Sequence, residues 1–307
     1  MKRNAVSFWI AHVFLAVLLG IILLAPKQHR LVREPVSLLW AIALMELLFL
    51  AAFHRQQKTK PKVGGASDII IFIWLLMIVW ELSTSVFALT NPVLIPCPEN
   101  VFDTFRQQGR VMAMNVWYSM CLLSVGLISG LVMAVLLGLA AGWIPRLRNF
   151  AYPIANVMAP IPPIVFSPYL VAIMPSFRSA SATVIILGVF WPGFLTTINR
   201  VTAIDSRILD SARMLNLSNT RMIFSILLPY VLPGVVQGLK VSVTTSVLML
   251  NFAELMGATH GMGYYIQNSI TYANYTQAVA GIICIGIVVT LLNRIVSLIQ
   301  KYAIHWR

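Results

Sequence analysis

Charge is scarce in this chain, and the capacity to form disulfides is nearly absent. Only 10% of the 307 residues are Asp, Glu, Lys or Arg, against about 25% in an average soluble domain. A soluble core could not hide an apolar fraction of 59%, so lipid must be part of the solvent. The cysteines Cys97, Cys121 and Cys284 are scattered. Two fall inside apolar runs, and neither a disulfide framework nor a zinc site fits their spacing. Acidic residues are also few, 9 against 22 basic ones, leaving a net charge of +13. Such an excess can mark a nucleic-acid binder. Here the Lys and Arg stand in short clusters between long apolar runs, as membrane loops do, so nucleic acid is excluded and membrane lipid is the expected surrounding. Motifs of chemistry are missing too. No Gly-x-x-x-x-Gly-Lys-[Ser/Thr] loop is present, and Gly234–Lys240 lacks that spacing, so the chain is not expected to hydrolyse ATP. There is no His-Glu-x-x-His and no nucleophile elbow. No catalytic residue, metal site or cofactor is expected, and the chain reads as a non-enzyme.

What is there is a series of apolar runs. A spanning helix needs roughly 20 mostly apolar residues, and about eight segments meet that test. They centre on Ser7–Leu24, Val36–Phe53, Ile69–Leu89, Tyr118–Trp143, Ala151–Met174, Ala180–Thr197, Leu232–Leu255 and Ala278–Ile299. The predicted fold class is therefore an all-α, polytopic helical membrane protein. The first run lacks a small-residue cleavage site and reads as a retained span. Pro160, Pro162 and Pro163 interrupt the fifth, where a kink or break is expected, since each proline removes a donor and crowds the preceding turn. Basic clusters lie at His54–Lys62, at Arg146 and Arg148, along Arg200–Arg221, and at Arg294, Lys301 and Arg307. With an even helix count these fall on one side with Lys2 and Arg3, which places both termini in the cytoplasm. The loop carrying Lys27, Arg30 and Arg33 disagrees with that rule. Gly126 with Gly130, Gly138 with Gly142, and Gly234 with Gly238 are spaced to let helix backbones approach closely.

The segment 199–229 is long and cytoplasmic by the charge rule. Ile204, Ile208, Ala212 and Leu215 recur at helical spacing, and Asp205 is a candidate N-cap. Asn216-Leu217-Ser218-Asn219 reads as a turn, with Ser218 able to cap a second short helix that Leu228-Pro229 closes. One reading is an interfacial helix resting on lipid headgroups. The other is a docking helix for a protein partner, favoured because the apolar stripe is narrow and lacks a Trp or Phe anchor.

The run Asp210-Ser211-Ala212-Arg213-Met214-Leu215-Asn216 through Ile226-Leu227-Leu228-Pro229 resembles the signature loop of inner-membrane components of binding-protein-dependent transport systems. That loop reads Glu-Ala-Ala, then Gly, then Ile-x-Leu-Pro, and its spacing is kept here. Leu94-Ile95-Pro96-Cys97-Pro98, Pro160-Ile161-Pro162-Pro163 and Glu254–Tyr264 resemble further motifs of the branch serving nitrate, taurine and aliphatic sulfonates. The resemblance covers about Leu94 to the C-terminus. It implies a type I importer-like permease of an ATP-binding-cassette (ABC) system in the bacterial inner membrane, with a permease domain at 68–307. Residues 1–67 would add an extra N-terminal helix pair with no counterpart in the family core. Implied partners are ABC ATPase subunits in the cytoplasm, an extracytoplasmic solute-binding protein, and a second permease copy or paralogue forming a dimer. By position, Asp210, Ala212, Arg213, Leu215, Asn216, Ser218 and Pro229 would form the part that couples to the ATPase. Asp210, Ser211 and Asn216 depart from the usual Glu, Ala and Gly; Asn tolerates the left-handed turn nearly as well.

Glu46, Glu81, Lys240 and Glu254 fall within apolar runs, where ionisable residues face the bundle interior or water. Glu254 could line the pathway or fix the bend beside it, with Lys240 or a backbone group as partner. Pro162 and Pro163 are further pathway candidates. Two other functions stay open from sequence: a secondary transporter, which would want matching broken helices in two halves, and a non-conducting membrane assembly subunit.

Overall fold

The apolar runs fold into helices because a backbone in lipid must satisfy its own hydrogen bonds. The computed structural model describes residues 2–27, 32–59, 65–214 and 217–303, and no strand occurs among them. The helices are α1 (Lys2–Leu24), α2 (Val36–Thr59), α3 (Gly65–Glu81), α4 (Pro98–Trp143), α5 (Pro145–Met158), α6 (Ser167–Ile173), α7 (Phe177–Thr202), α8 (Ser206–Met214), α9 (Asn219–Arg221), α10 (Leu228–Leu255), α11 (Met262–Thr271) and α12 (Tyr275–Ala303). Among the described residues seven helices or helical runs are long and apolar enough to cross a membrane. The pair α5 and Pro163–Ile173, bent by 86°, makes an eighth if it is one span. The prolines at 160, 162 and 163 thus break this segment, as expected.

Several bounds differ from the sequence expectation. Helix α4 begins at Pro98, not near Tyr118, and runs 46 residues, about 69 Å at a rise of ~1.5 Å per residue. Its first turns carry Glu99, Asp103, Arg106 and Gln107, which hydropathy does not score as membrane but which a helix accepts freely. Leu228-Pro229 does not close a helix. Asn219–Leu255 is one helical run, in which a π-turn at Met222–Leu227 leads directly into Pro229 in the first turn of α10. Wider turns of this kind and first-turn positions both tolerate a residue that cannot donate. Helix α11 had no counterpart in the hydropathy reading.

The chain divides into two compact units, Met1–Met112 with Asn268–Ile283, and Ala113–Gln267 with Cys284–Arg307. In the first, α1 and α2 pack with α3 around Leu18, Leu38, Phe49 and Trp74. Buried charges sit beside that core. Glu81 and Glu99 are 1% and 0% exposed, and Lys27 reaches both, bonding Glu99 and standing 3.3 Å from Glu81. Burial opposes the Lys27 charge, but Glu99 and then Glu81 outweigh it and hold the ammonium above its ordinary pKa. Arg33 meets Asp103 at 2.7 Å, and the Ser37 hydroxyl donates to the same carboxylate. Within α1 and α2, His12 lies 3.2 Å from Glu46.

In the second unit the glycine stripe of α4 lies against α7. A Cβ on Gly126 would stand 2.6 Å from Ile185, on Gly138 2.6 Å from Thr197, and on Gly142 2.7 Å from Val201. Only glycine permits that approach, so close helix packing, the expected role of this spacing, is what it provides in α4, whereas a Cβ on Gly238 of the third pair would meet nothing within 4 Å.

Candidate functional site

Helix α8 is the element that the segment 199–229 builds. Asp205 caps it as expected: the Arg207 backbone N–H donates to its carboxylate at 2.9 Å, and the Arg207 guanidinium closes a second contact at 2.7 Å. Those bonds from the Arg207 side chain, and then from its backbone, hold the Asp205 carboxyl below its usual pKa. Ser218 caps α9, accepting from the Arg221 N–H at 3.5 Å.

Seating decides what α8 can do. Ala212 is 4% exposed and packs in one cluster with Val135 and Leu139 of α4, Val201 of α7, Ile204, Met222, Leu227 and Val231. Helix α8 therefore rests on the ends of α4, α7 and α10 together. The Trp143 indole N–H adds a bond to Asn219 at 3.0 Å, tying the end of α4 to α9. Ala212 is largely buried in this cluster and anchors α8, with only its edge reaching a hollow on the outward side. The outward face carries Arg207, Ile208, Asp210, Ser211 and Met214; Ile208 is 44% and Met214 88% exposed. Asp205, Arg207, Ile208, Ser211, Ala212 and Ile226 border an open hollow there. Of the other expected coupling residues, Ser218 is exposed beside α9 and Pro229 lies where α10 starts. The helix carries Arg213, whose side chain lies outside the described residues, as do Leu215 and Asn216. Arg207 and Met214, seven positions apart and so on one side of a helix, were not singled out from sequence as contact residues.

The stretch Glu254–Tyr264 forms a second node. Glu254, at the end of α10, is 2% exposed. Its carboxylate accepts the Gly263 N–H at 2.7 Å and the Ser119 hydroxyl at 2.6 Å. Ser119 in turn accepts the Met262 N–H at 2.9 Å, and Asn115 accepts the Gly261 N–H at 2.8 Å. Gly261 has φ +118°, and a Cβ there would run into the Glu254 carboxylate. The glycines therefore let the loop fold onto a buried acid. One backbone N–H and a hydroxyl, not Lys240, are the partners of the Glu254 carboxylate. These bonds fit the second of its two expected roles, fixing the bend. Asn115 and Ser119 were not singled out from sequence; polar residues four apart in an otherwise apolar helix were the available signal.

Pro163 is buried, close to Gly188 of α7. Pro162 is exposed, as are Val165, Tyr169 and Ile173, which recur every fourth residue after it. No group of His, Cys, Asp and Glu able to hold a metal occurs among the described residues.

Comparison with known proteins agrees with the motifs. The family described as "Binding-protein-dependent transport system inner membrane component" matches residues 111–305. A protein named for aliphatic sulfonates transport, the permease SsuC of Bacillus subtilis, is 25% identical over 75% of this chain and 83% of its own length. The taurine transport permease TauC of Escherichia coli is 24% identical over 79% of this chain and 88% of its own. The nitrate import permease NrtB of Synechocystis is 23% identical over 76% and 88%. Among solved structures, the inward-facing MetNI methionine ABC transporter aligns at TM-score 0.55 and 20% identity, over 64% of this chain and 97% of that one. That likeness is one of fold.

Proposed function

Since the chain belongs to the family of binding-protein-dependent transport system inner membrane components, we propose that it forms the solute pathway of an ABC importer and takes its drive from a separate ATPase through α8. The observation that carries this reading is the seating of α8 on the ends of α4, α7 and α10 at once. A short helix so seated cannot shift without moving several spans, which is what converts a push from a cytoplasmic partner into a rigid-body motion in the membrane. Its exposed Ile208 and Met214 supply an apolar tip, and Arg207, Asp210 and Ser211 a polar surround, the composition of a helix that docks into a protein groove.

The named relatives suggest a small organic solute or anion as cargo, of the sulfonate, taurine or nitrate kind, with a vitamin-precursor-like heterocycle also compatible: a further relative is named as a formylaminopyrimidine transport permease. An extracytoplasmic solute-binding protein and a second permease, copy or paralogue, complete the assembly. A pathway enclosed between two permeases is lined by residues that are exposed in one. Pro162 and Tyr169 meet that condition, whereas Pro163 and Glu254 support the wall from behind. Both termini lie in the cytoplasm. The loop of Lys27 and Arg33 offends the charge rule, but the basic clusters on the opposite side outweigh it.

Copurification from detergent extracts of the host tests the reading. Wild-type chain should bring down an ATP-binding subunit, and Met214→Glu should lose it while keeping its own elution profile. Retention of the ATPase by Met214→Glu and Ile208→Glu alike would remove α8 as the contact. Ala212→Glu is a poor probe, because it buries a charge in the seat of α8 and unfolds the contact from within.

A further inference from the structure

We propose that a cavity between the start of α5 and the end of α7 binds an oxyanion group, the phosphate of an anionic phospholipid headgroup. The cavity holds about 420 Å³ and is lined by Arg148, Asn149, Tyr152 and Pro153 of α5 with Asn199 and Thr202 of α7. Its walls offer a guanidinium, side-chain amides and hydroxyls, and no carboxylate. Lys27, Arg33, Arg106 and Arg207 each stand beside a carboxylate. Arg148 is half-buried and has no carboxylate partner among the described residues. A half-buried cation without a counter-ion, facing neutral donors, is complementary to a ligand that brings negative oxygens. The planar fork of a guanidinium suits phosphate in particular.

The source of the oxyanion follows from position. Arg148 lies in the first turn of α5, which starts at Pro145 directly after the end of α4 at Trp143, the level of the headgroups for a segment entering a bilayer. The neighbouring face of α5 exposes Phe150 at 71%, Ile154 at 40% and Val157 at 66%, an apolar track on which acyl chains can lie below a headgroup. Basic pockets between spanning helices at the cytoplasmic surface are suited to such lipids. The occupant would bridge α5 to the end of α7, which three residues separate from the start of α8 at Ser206. Lipid composition would then bear on how firmly the seat of α8 is held.

The test is thermal unfolding of the purified full chain in neutral detergent, titrated with phosphatidylglycerol, phosphatidylcholine, sodium phosphate or ethanesulfonate. Phosphatidylglycerol is expected to raise the midpoint of the wild type and of Arg146→Gln, a control that removes a nearby charge from outside the cavity. Arg148→Gln should weaken that titration about tenfold, the loss of one charge-assisted contact. Phosphatidylcholine should do little. An equal phosphatidylglycerol response in the wild type and Arg148→Gln would overturn the site. A response to phosphate or ethanesulfonate that depends on Arg148 would overturn the lipid source and assign the cavity to a soluble oxyanion. Should Arg148→Gln not fold, Tyr152→Phe, which removes only a hydroxyl, must still weaken the phosphatidylglycerol titration, and its failure to do so overturns the site.

Discussion

At the residue scale Glu254 is a buried acid that holds backbone in place. Glu254→Ala would strand the Gly263 N–H and the Ser119 hydroxyl in a buried site, at a cost of about 2 kcal/mol or more. Glu254→Gln keeps an acceptor and should lose less. Gly261→Ala should destabilise as well, because it combines a φ of +118° with a Cβ aimed at the carboxylate. Unfolding midpoints in detergent rank all three, with wild type highest and Glu254→Gln above Glu254→Ala. The importance of Glu254 was legible, since an acid next to spaced glycines in an apolar run requires a reason. Its partners were not. Ser119 lies far from it along the chain and meets it, as Asn115 meets Gly261, only through the packing of α4 against the loop. Ala212 teaches the converse: a small residue in the middle of a docking motif looks like contact surface in a sequence, and its burial becomes visible only when α4, α7 and α10 close over it.

At the element scale, helices here are joined by features whose local cause is plain and whose pairing is not. The spans were legible because about 20 apolar residues in a row leave few alternatives. The long polar beginning of α4 was not, because hydropathy ignores residues that are helical yet wet. Lys27 joins the segment after α1 to α3 and α4 by matching two buried acids. Lys27→Met should therefore cost on the order of 3 kcal/mol, the penalty of leaving buried carboxylates without their cation. The added change Glu99→Gln should recover part of it, which a double-mutant cycle in thermal stability would read. If Lys27→Met unfolds at the wild-type midpoint, the ion cluster does not hold the segment. Gly138→Val should force α4 off Thr197 of α7 and lower stability by about 1–3 kcal/mol, the range of overpacked cores. For α8, the depressed Asp205 pKa means its capping contribution is complete above the ordinary carboxylate range, about 3.9, and fades only as pH falls through the lower folded value. Amide exchange in α8 should therefore be insensitive to Asp205 protonation at neutral pH and accelerate in Asp205→Ala.

At the scale of the whole molecule, the chain belongs to a family of membrane transport components, its helical pair around the prolines is bent by 86°, and the function proposed for it needs a drive from outside the chain. In the proposed function that drive enters through α8, whose outward tip is Met214. The most direct measurement places a cysteine at that tip, Met214→Cys, in a chain whose Cys97, Cys121 and Cys284 are replaced by serine or alanine. In host membranes a bifunctional thiol reagent should join it to an ATP-binding subunit, and the yield should change when ATP and vanadate trap the closed ATPase. A water-soluble maleimide should reach the same cysteine from the cytoplasmic side only. Labelling from the outside, or free labelling from the inside with no cross-linked ATPase in any nucleotide state, would contradict a chain driven through α8.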